Sequence, residues 1–177
     1  MKALWLKFLD WFSRRFGIGR SVIPREPLML RPIGVVRNNV KLPRAEGWAD
    51  VRSDILVRED LADALDGIEG YSHVIVVFAF DKVPEAEQRH RVRPRGDPRI
   101  PEQGVLATRS QVRPSPVGVS VVKLLRRRHN VLRVEALDAI DGTPVLDIKP
   151  YFPNYDAVPD AGIPEWARQL AAEGSAG

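Results

Sequence analysis

The sequence predicts a mainly β, antiparallel fold, a barrel or a sandwich, with a few short helices. Three observations predict it. Strand-length apolar runs recur along the chain with turn signals between them. Fifteen prolines and thirteen glycines suit many turns and oppose a helical bundle. One run, His73 to Phe80, is almost unbroken apolar over a strand's length and reads as a central, buried strand. At 177 residues the chain can bury one good-sized core, so one main domain is expected.

Residues 1–18 read as a helix. Trp5, Phe8, Leu9, Phe12 and Phe16 share one face, and Lys2, Lys7, Asp10, Ser13 and Arg14 lie largely opposite. Lys7 and Asp10 leave it too short and too charged to span a membrane. No small-residue cleavage site follows, so no signal peptide is expected. Three arrangements stay open for this helix: packing on the main domain or a second subunit, weak contact with a membrane surface through residues 1–18, or weak order. Gly17 to Pro27 reads as a linker, so the first unit is 1–27.

The main domain is expected over 28–156. Pro32 to Val36 is a strand, Asn38 to Asp50 a loop, and Ser53 to Val57 a second strand. Leu61, Leu65 and Ile68 have helical spacing, which predicts a short helix over Asp60 to Asp66. Asp81 to Gln103 has no periodicity and holds five arginines; a loop this long in a compact domain is functional or disordered. Next comes strand, loop, strand: Gly104 to Thr108, then a stiff connection containing Arg109, Arg113, Pro114 and Pro116, then Val117 to Leu124. The prolines leave few conformations to lose on binding. The arginine forks four residues apart suit a carboxylate or phosphate. The competing reading is a braced loop with solvated arginines. Gly118 predicts either close backbone approach or an unusual φ. Leu132 to Ala136 alternates as a half-buried strand, Asp141-Gly142 is a tight turn, and Val145 to Ile148 is a strand. The tail, 157–177, has one short helix with Pro164 at its start and Trp166, Leu170 and Ala171 on one face.

Chemistry is excluded more readily than assigned. There is no cysteine, which rules out disulfides and thiolate catalysis, and the three histidines lack ligand spacing, so no metal is expected. The net charge of +4 suits a polyanionic partner or simple solubility. No dinucleotide fingerprint, phosphate loop or Ser-His-Asp signature is present. By residue types alone this is a basic β-domain that binds an anion.

Several segments resemble one family in its own order: Pro32-Ile33-Gly34-Val35-Val36, Pro43-Arg44, Leu65 to His73, Val92-Arg93-Pro94, Gly104 to Ser120, and Asp141-Gly142-Thr143-Pro144 through Tyr151. The chain looks like the TrmO family, also called TsaA-like or YaeB-like, over about residues 28–156. The resemblance implies an antiparallel β-barrel, S-adenosyl-L-methionine as cofactor, a homodimer, and a cytoplasmic enzyme. The implied reaction is N6-methylation of N6-threonylcarbamoyladenosine beside the anticodon of tRNA. It carries cofactor contacts onto Pro43, Arg44, Ala45, Asp81, Lys82, Arg109, Val119, Asp141, Gly142, Thr143 and Pro144. Three positions depart from the family pattern: Ala45 stands for Gln, Asp81 for His, and Ser115 for Asn. The chain is also expected to lack the C-terminal domain of longer family members.

A carbamoylated exocyclic nitrogen is a poor nucleophile whose proton must leave, so an acceptor is needed. Asp147 or Asp141 is the expected acceptor, with Tyr151 positioning the base. For Asp147 the alternative is a structural partner for Lys149 or a backbone amide. Arg93, Arg95, Arg113 and Lys149 are the expected substrate contacts, since cations hold RNA phosphates. Two other readings compete: a methyltransferase of the same fold acting on a small molecule or another RNA, and a non-enzymatic module that binds nucleic acid or membrane.

Overall fold

The computed structural model of the chain describes residues 28–174. The expected N-terminal helix and its membrane contact lie outside them.

Six antiparallel strands close into a barrel: β1 (Gly34–Arg37), β2 (Arg52–Val57), β3 (His73–Ala79), β6 (Val117–Arg128), β7 (Val131–Glu135) and β8 (Pro144–Pro150), in the order β1-β2-β7-β6-β3-β8. The choice between barrel and sandwich is made by β1. It pairs β2 on one side and β8 on the other, so no strand of the six is left as an edge. Alternation along each strand then fills the lumen. Val36, Ile55, Leu132, Val134, Leu124, Val122, Val74 and Phe78 are all buried and face inward in register: Val36 opposes Ile55, Ile55 opposes Leu132, and Val74 opposes Val122. Each such side chain contributes roughly 1.5–3 kcal/mol when fully buried. The His73–Phe80 run holds as a strand, with its alternate residues Val74, Val76 and Phe78 in the core.

Three expectations need correction. Gly104 to Thr108 is not a strand of a hairpin with Val117 to Leu124. Only Gln103–Gly104 is extended (β5), and it pairs with Arg91–Val92 (β4); Val105–Ala107 is a 3₁₀ turn. Val105 supplies the reason: it is buried, as are Ile100 and Pro94, and its N–H donates to the His90 carbonyl just before β4 at 2.9 Å. The 81–103 segment is therefore not structureless. The helix expected over 60–66 is 3₁₀ over Glu59–Leu65, burying Ala62 and Leu65. A short helix, α1 (Pro153–Asp156), follows β8, and α2 (Glu165–Gly174) is the expected tail helix.

Gly118 is required for close approach, not for its φ. A Cβ there would lie 2.4 Å from the Phe78 ring and 2.9 Å from Phe80, and the two rings pack edge to face with centroids 5.4 Å apart. Phe78 is 1% exposed and has nowhere to move. Gly118→Ala is expected to destabilise by about 1–3 kcal/mol, read as a lower denaturant midpoint at unchanged slope. Gly104→Ala, where a Cβ meets nothing within 4 Å, is the near-neutral control.

Candidate functional site at the barrel mouth

The loops leaving β1, β3 and β7 emerge at the same end of the barrel. Between them, the 106–111 segment and α2 lies a cavity of about 1210 Å³. Pro43, Arg44, Ala45 and Trp48 come from the first loop, Phe78 to Val83 from the second, and Asp138, Ala139, Ile140 and Thr143 from the third. The wall is largely apolar and aromatic, through Phe78, Phe80, Trp48, Leu106 and Trp166. Set in it are five cations (Arg44, Lys82, Arg93, Arg95, Arg109) and three carboxylates (Asp81, Glu87, Asp138).

Most of these cations are held. Arg44 donates to the Gly47 carbonyl and lies over the Trp48 ring at 4.8 Å. Lys82 meets Asp81 at 3.3 Å, Arg95 meets Glu46 at 3.3 Å, and Arg93 donates to the Ile100 carbonyl at 2.5 Å. Arg109 is exposed and has no polar partner among the described residues. The backbone on either side of it is braced. The Thr108 hydroxyl donates to the Val105 carbonyl at 2.8 Å and accepts the Ser110 N–H at 3.2 Å, while Arg113 donates to the Thr108 carbonyl at 3.4 Å. A guanidinium fork carried on a braced backbone at the wall of a largely apolar cavity is suited to a carboxylate.

Of the residues expected from the sequence, Pro43, Arg44, Ala45, Asp81, Lys82, Arg109, Thr143, Arg93 and Arg95 line this cavity together. The braced 108–111 segment and the Asp-Gly-Thr-Pro turn thus converge, through Arg109 and buried Thr143. Arg113 is an internal brace of the loop and does not line it.

Asp141 does not line it either. Its carboxylate accepts Lys41 Nζ at 2.7 Å and the Asn38 N–H at 3.1 Å, with Arg37 at 3.8 Å. The Lys41 contact, followed by the Asn38 amide, holds its pKa below the usual carboxylate range. A carboxylate so stabilised is a weak proton acceptor and a good anchor for the turn, in which Gly142 sits at φ 85°.

Val119, Asp147, Lys149 and Tyr151 lie elsewhere, on or beside the outer wall of β6-β3-β8. Val77 opposes Val119 on one side and Asp147 on the other. Asp147 accepts its neighbour Ile148's N–H at 2.9 Å and pairs Lys149 at 2.6 Å, the structural partners weighed from the sequence.

Sequence reasoning missed Trp48, Phe78, Phe80, Asp138 and the tail. Asp138 carried no signal. Trp166, Leu170 and Ala171 were legible as one helix face, and the cavity is what that face covers.

The tRNA-methyltransferase O N-terminal domain model matches residues 35–157, most of the chain. The chain belongs to this family. It is 42% identical over 135 residues to an S-adenosyl-L-methionine-binding protein of Archaeoglobus fulgidus, covering 74% of this chain and 94% of that one. It is 38% identical over 155 residues to the Escherichia coli tRNA (adenine(37)-N6)-methyltransferase, covering 80% of this chain and 65% of that enzyme. A crystal structure of TrmO from Pseudomonas aeruginosa superposes at TM-score 0.62 with 33% identity, over 77% of this chain and 62% of that one. The family match stops at 157, so the Trp166–Leu170 wall of the cavity lies beyond it.

The lowered pKa of Asp141 has a stability consequence. Its folded value lies below its unfolded value, so its contribution is complete above about pH 4, the ordinary aspartate range, and is lost as pH falls through the folded value. Asp141→Asn is expected to be less stable than the parent at neutral pH, with the gap closing on acidification below about pH 4. Urea unfolding of both proteins across that range checks it; a gap that stays constant would remove the ion pair as the cause.

Proposed function

We propose that this chain transfers a methyl group from S-adenosyl-L-methionine to N6 of N6-threonylcarbamoyladenosine beside the anticodon of tRNA. Membership of the tRNA-methyltransferase O family supports a cofactor-dependent tRNA methyltransferase. The observation that carries the reading is Arg109, an unpaired guanidinium on a braced backbone that lines an apolar, cation-rich cavity.

The residues present fit the cofactor. The cavity is of a size for a nucleoside carrying an amino-acid arm. Arg109 matches the arm's carboxylate, and Phe78, Phe80 and Trp166 offer apolar surface to the adenosyl part. Bound there, the cofactor supplies a methyl group on a positively charged sulfur. Everything else falls to the chain: orienting the nucleophile, excluding water and receiving a proton. Among the cavity carboxylates Asp81 is paired to Lys82. Asp138 faces no cation within salt-bridge reach among the described residues, takes a hydrogen bond from the Ser120 hydroxyl, and sits next to Ala139, whose carbonyl is tied to Asn38. Among the described residues Glu87 likewise faces no cation but has no side-chain hydrogen bond to orient it, so Asp138, oriented by Ser120, is the better-placed acceptor within one subunit. Asp147 and Tyr151 would act only at a partner's cavity, from the outer wall.

The test is the nucleoside profile of tRNA incubated with protein and labelled cofactor. The methylated threonylcarbamoyladenosine is the expected product. Arg109→Ala is expected to weaken cofactor binding about tenfold or more, the loss of roughly 1.4 kcal/mol or above. Asp138→Asn is expected to keep cofactor affinity and lose about 10²-fold or more in turnover. Label in another nucleoside would move the substrate; no cofactor binding would end the reading.

The homodimer is supported by the outer wall of β6-β3-β8, where Val119 is 45% and Val121 51% exposed beside Ile75 and Val77. Contiguous apolar surface of this kind marks an interface. Sedimentation is expected to give a dimer, and Val121→Glu a monomer that remains folded.

A further inference from the structure

β6 changes character half-way. Residues 117–123 pair with β3 and turn Val119 and Val121 outward, whereas 123–128 pair with β7 and turn out Lys123, Arg126 and Arg128. A β-bulge makes the second pattern. The register steps from Leu124 opposite Val134 to Arg126 opposite Arg133, leaving Leu125 unmatched. Strict alternation from Lys123 would send Leu125 and Arg127 outward and drive Arg126 and Arg128 into the core. With the bulge, Arg126 and Arg128 emerge. Arg127 alone turns back, 14% exposed, to Asp66 at 2.7 Å, Glu69 at 3.5 Å and the Ala62 carbonyl.

The wall continues onto β7 and β2. Its acids are already engaged: Asp54 with Arg133 at 2.6 Å, and Glu135 with Arg52 at 3.2 Å. Among the described residues no carboxylate lies within salt-bridge reach of Lys123, Arg126 or Arg128, although Arg126, after Arg133, helps hold the Asp54 carboxyl below the usual range. The surface is contiguous with the cavity. Arg52 and Glu135 line a smaller recess of about 520 Å³ together with Arg44, and Arg44 also lines the cavity. Side chains two apart on one strand face stand about 7 Å apart, a ladder that suits successive phosphates.

We propose that the outer wall of β2-β7-β6 docks the phosphate backbone of the RNA whose reacting nucleotide enters the cavity. The proposal rests on the function proposed above for its choice of polyanion, and its test does not depend on methyl transfer. Binding of an unmodified tRNA transcript to the full chain is measured across a salt series, for the parent and for the double variant Arg126→Gln/Arg128→Gln. Neither residue lines the cavity. The variant is expected to bind about tenfold or more weaker near 0.1 M salt, with a log–log salt slope shallower by about 2. Its affinity for S-adenosylmethionine and its sedimentation should match the parent's. An unchanged slope and affinity would overturn the docking wall, as would failure of the parent to bind tRNA. A shift in sedimentation with RNA binding intact would also overturn it, because the wall would then be a protein interface. Loss of methylation with this salt dependence intact would refute the proposed reaction alone.

Discussion

Asn38 holds the mouth of the barrel in place. Its side chain donates to the Ser53 hydroxyl at 2.9 Å and the Ala139 carbonyl at 2.8 Å, and accepts the Val40 N–H at 2.9 Å; its own N–H donates to Asp141 at 3.1 Å. One residue therefore ties the end of β1 to β2 and to the β7–β8 loop. Backbone bonds complete the knot, from Val36 to Thr143, Gly142 to Val36 and Asp141 to Val40. Ser53 is 1% exposed, so losing its partner would leave a buried hydroxyl unpaired, at roughly 1–3 kcal/mol. Ala139, Ile140 and Thr143 line the cavity because this knot holds them there.

Two bulges set which surfaces the barrel shows. In β8 the register steps between Val77 opposite Asp147 and Phe78 opposite Val145, so Leu146 is extra and Asp147 faces out while Val145 stays in the core. In β6 the step at Leu125 does the same for Arg126 and Arg128. A one-residue shift reverses the facing of every residue beyond it. Polar chemistry on the outer walls of this barrel is thus produced by local register, with the inward apolar set left intact.

The strands were legible because their signal is local. Alternation at Leu132 to Ala136 and the apolar run at His73 to Phe80 report burial on one or both faces, and burial is what the barrel needs from them. The closed topology was not legible from alternation alone, since it depends on β1 meeting β8 about 110 residues away; family resemblance supplied it. The expected hairpin at Gly104 failed for a related reason. A short apolar run marks burial but not the partner, and Val105 is buried through a turn rather than a strand. In the site, residues with distinctive motifs were found: Arg109 beside its prolines, and Thr143 in Asp-Gly-Thr-Pro. Asn38 and Asp138 act through contacts with distant segments, and nothing adjacent in sequence announces them. The bulges were invisible because they exist only relative to a partner strand.

A six-stranded barrel also constrains where function can sit. Eight strands leave an interior just wide enough for side chains, and here six strands fill theirs with Val36, Ile55, Val74, Val122, Leu132 and Phe78. No ligand can enter the lumen. A binding site must be built on one end by loops, or on the outer walls. The end cavity accordingly draws on three inter-strand loops, the braced 106–111 segment and the tail helix, because short loops alone cannot enclose about 1210 Å³. The outer walls carry the rest: an apolar one over β6-β3-β8 and a cationic one over β2-β7-β6, meeting along β6 at Lys123, where both β3 and β7 pair with it. One long strand can serve two surfaces because it changes neighbours midway, and the bulge at Leu125 is where its chemistry changes with them.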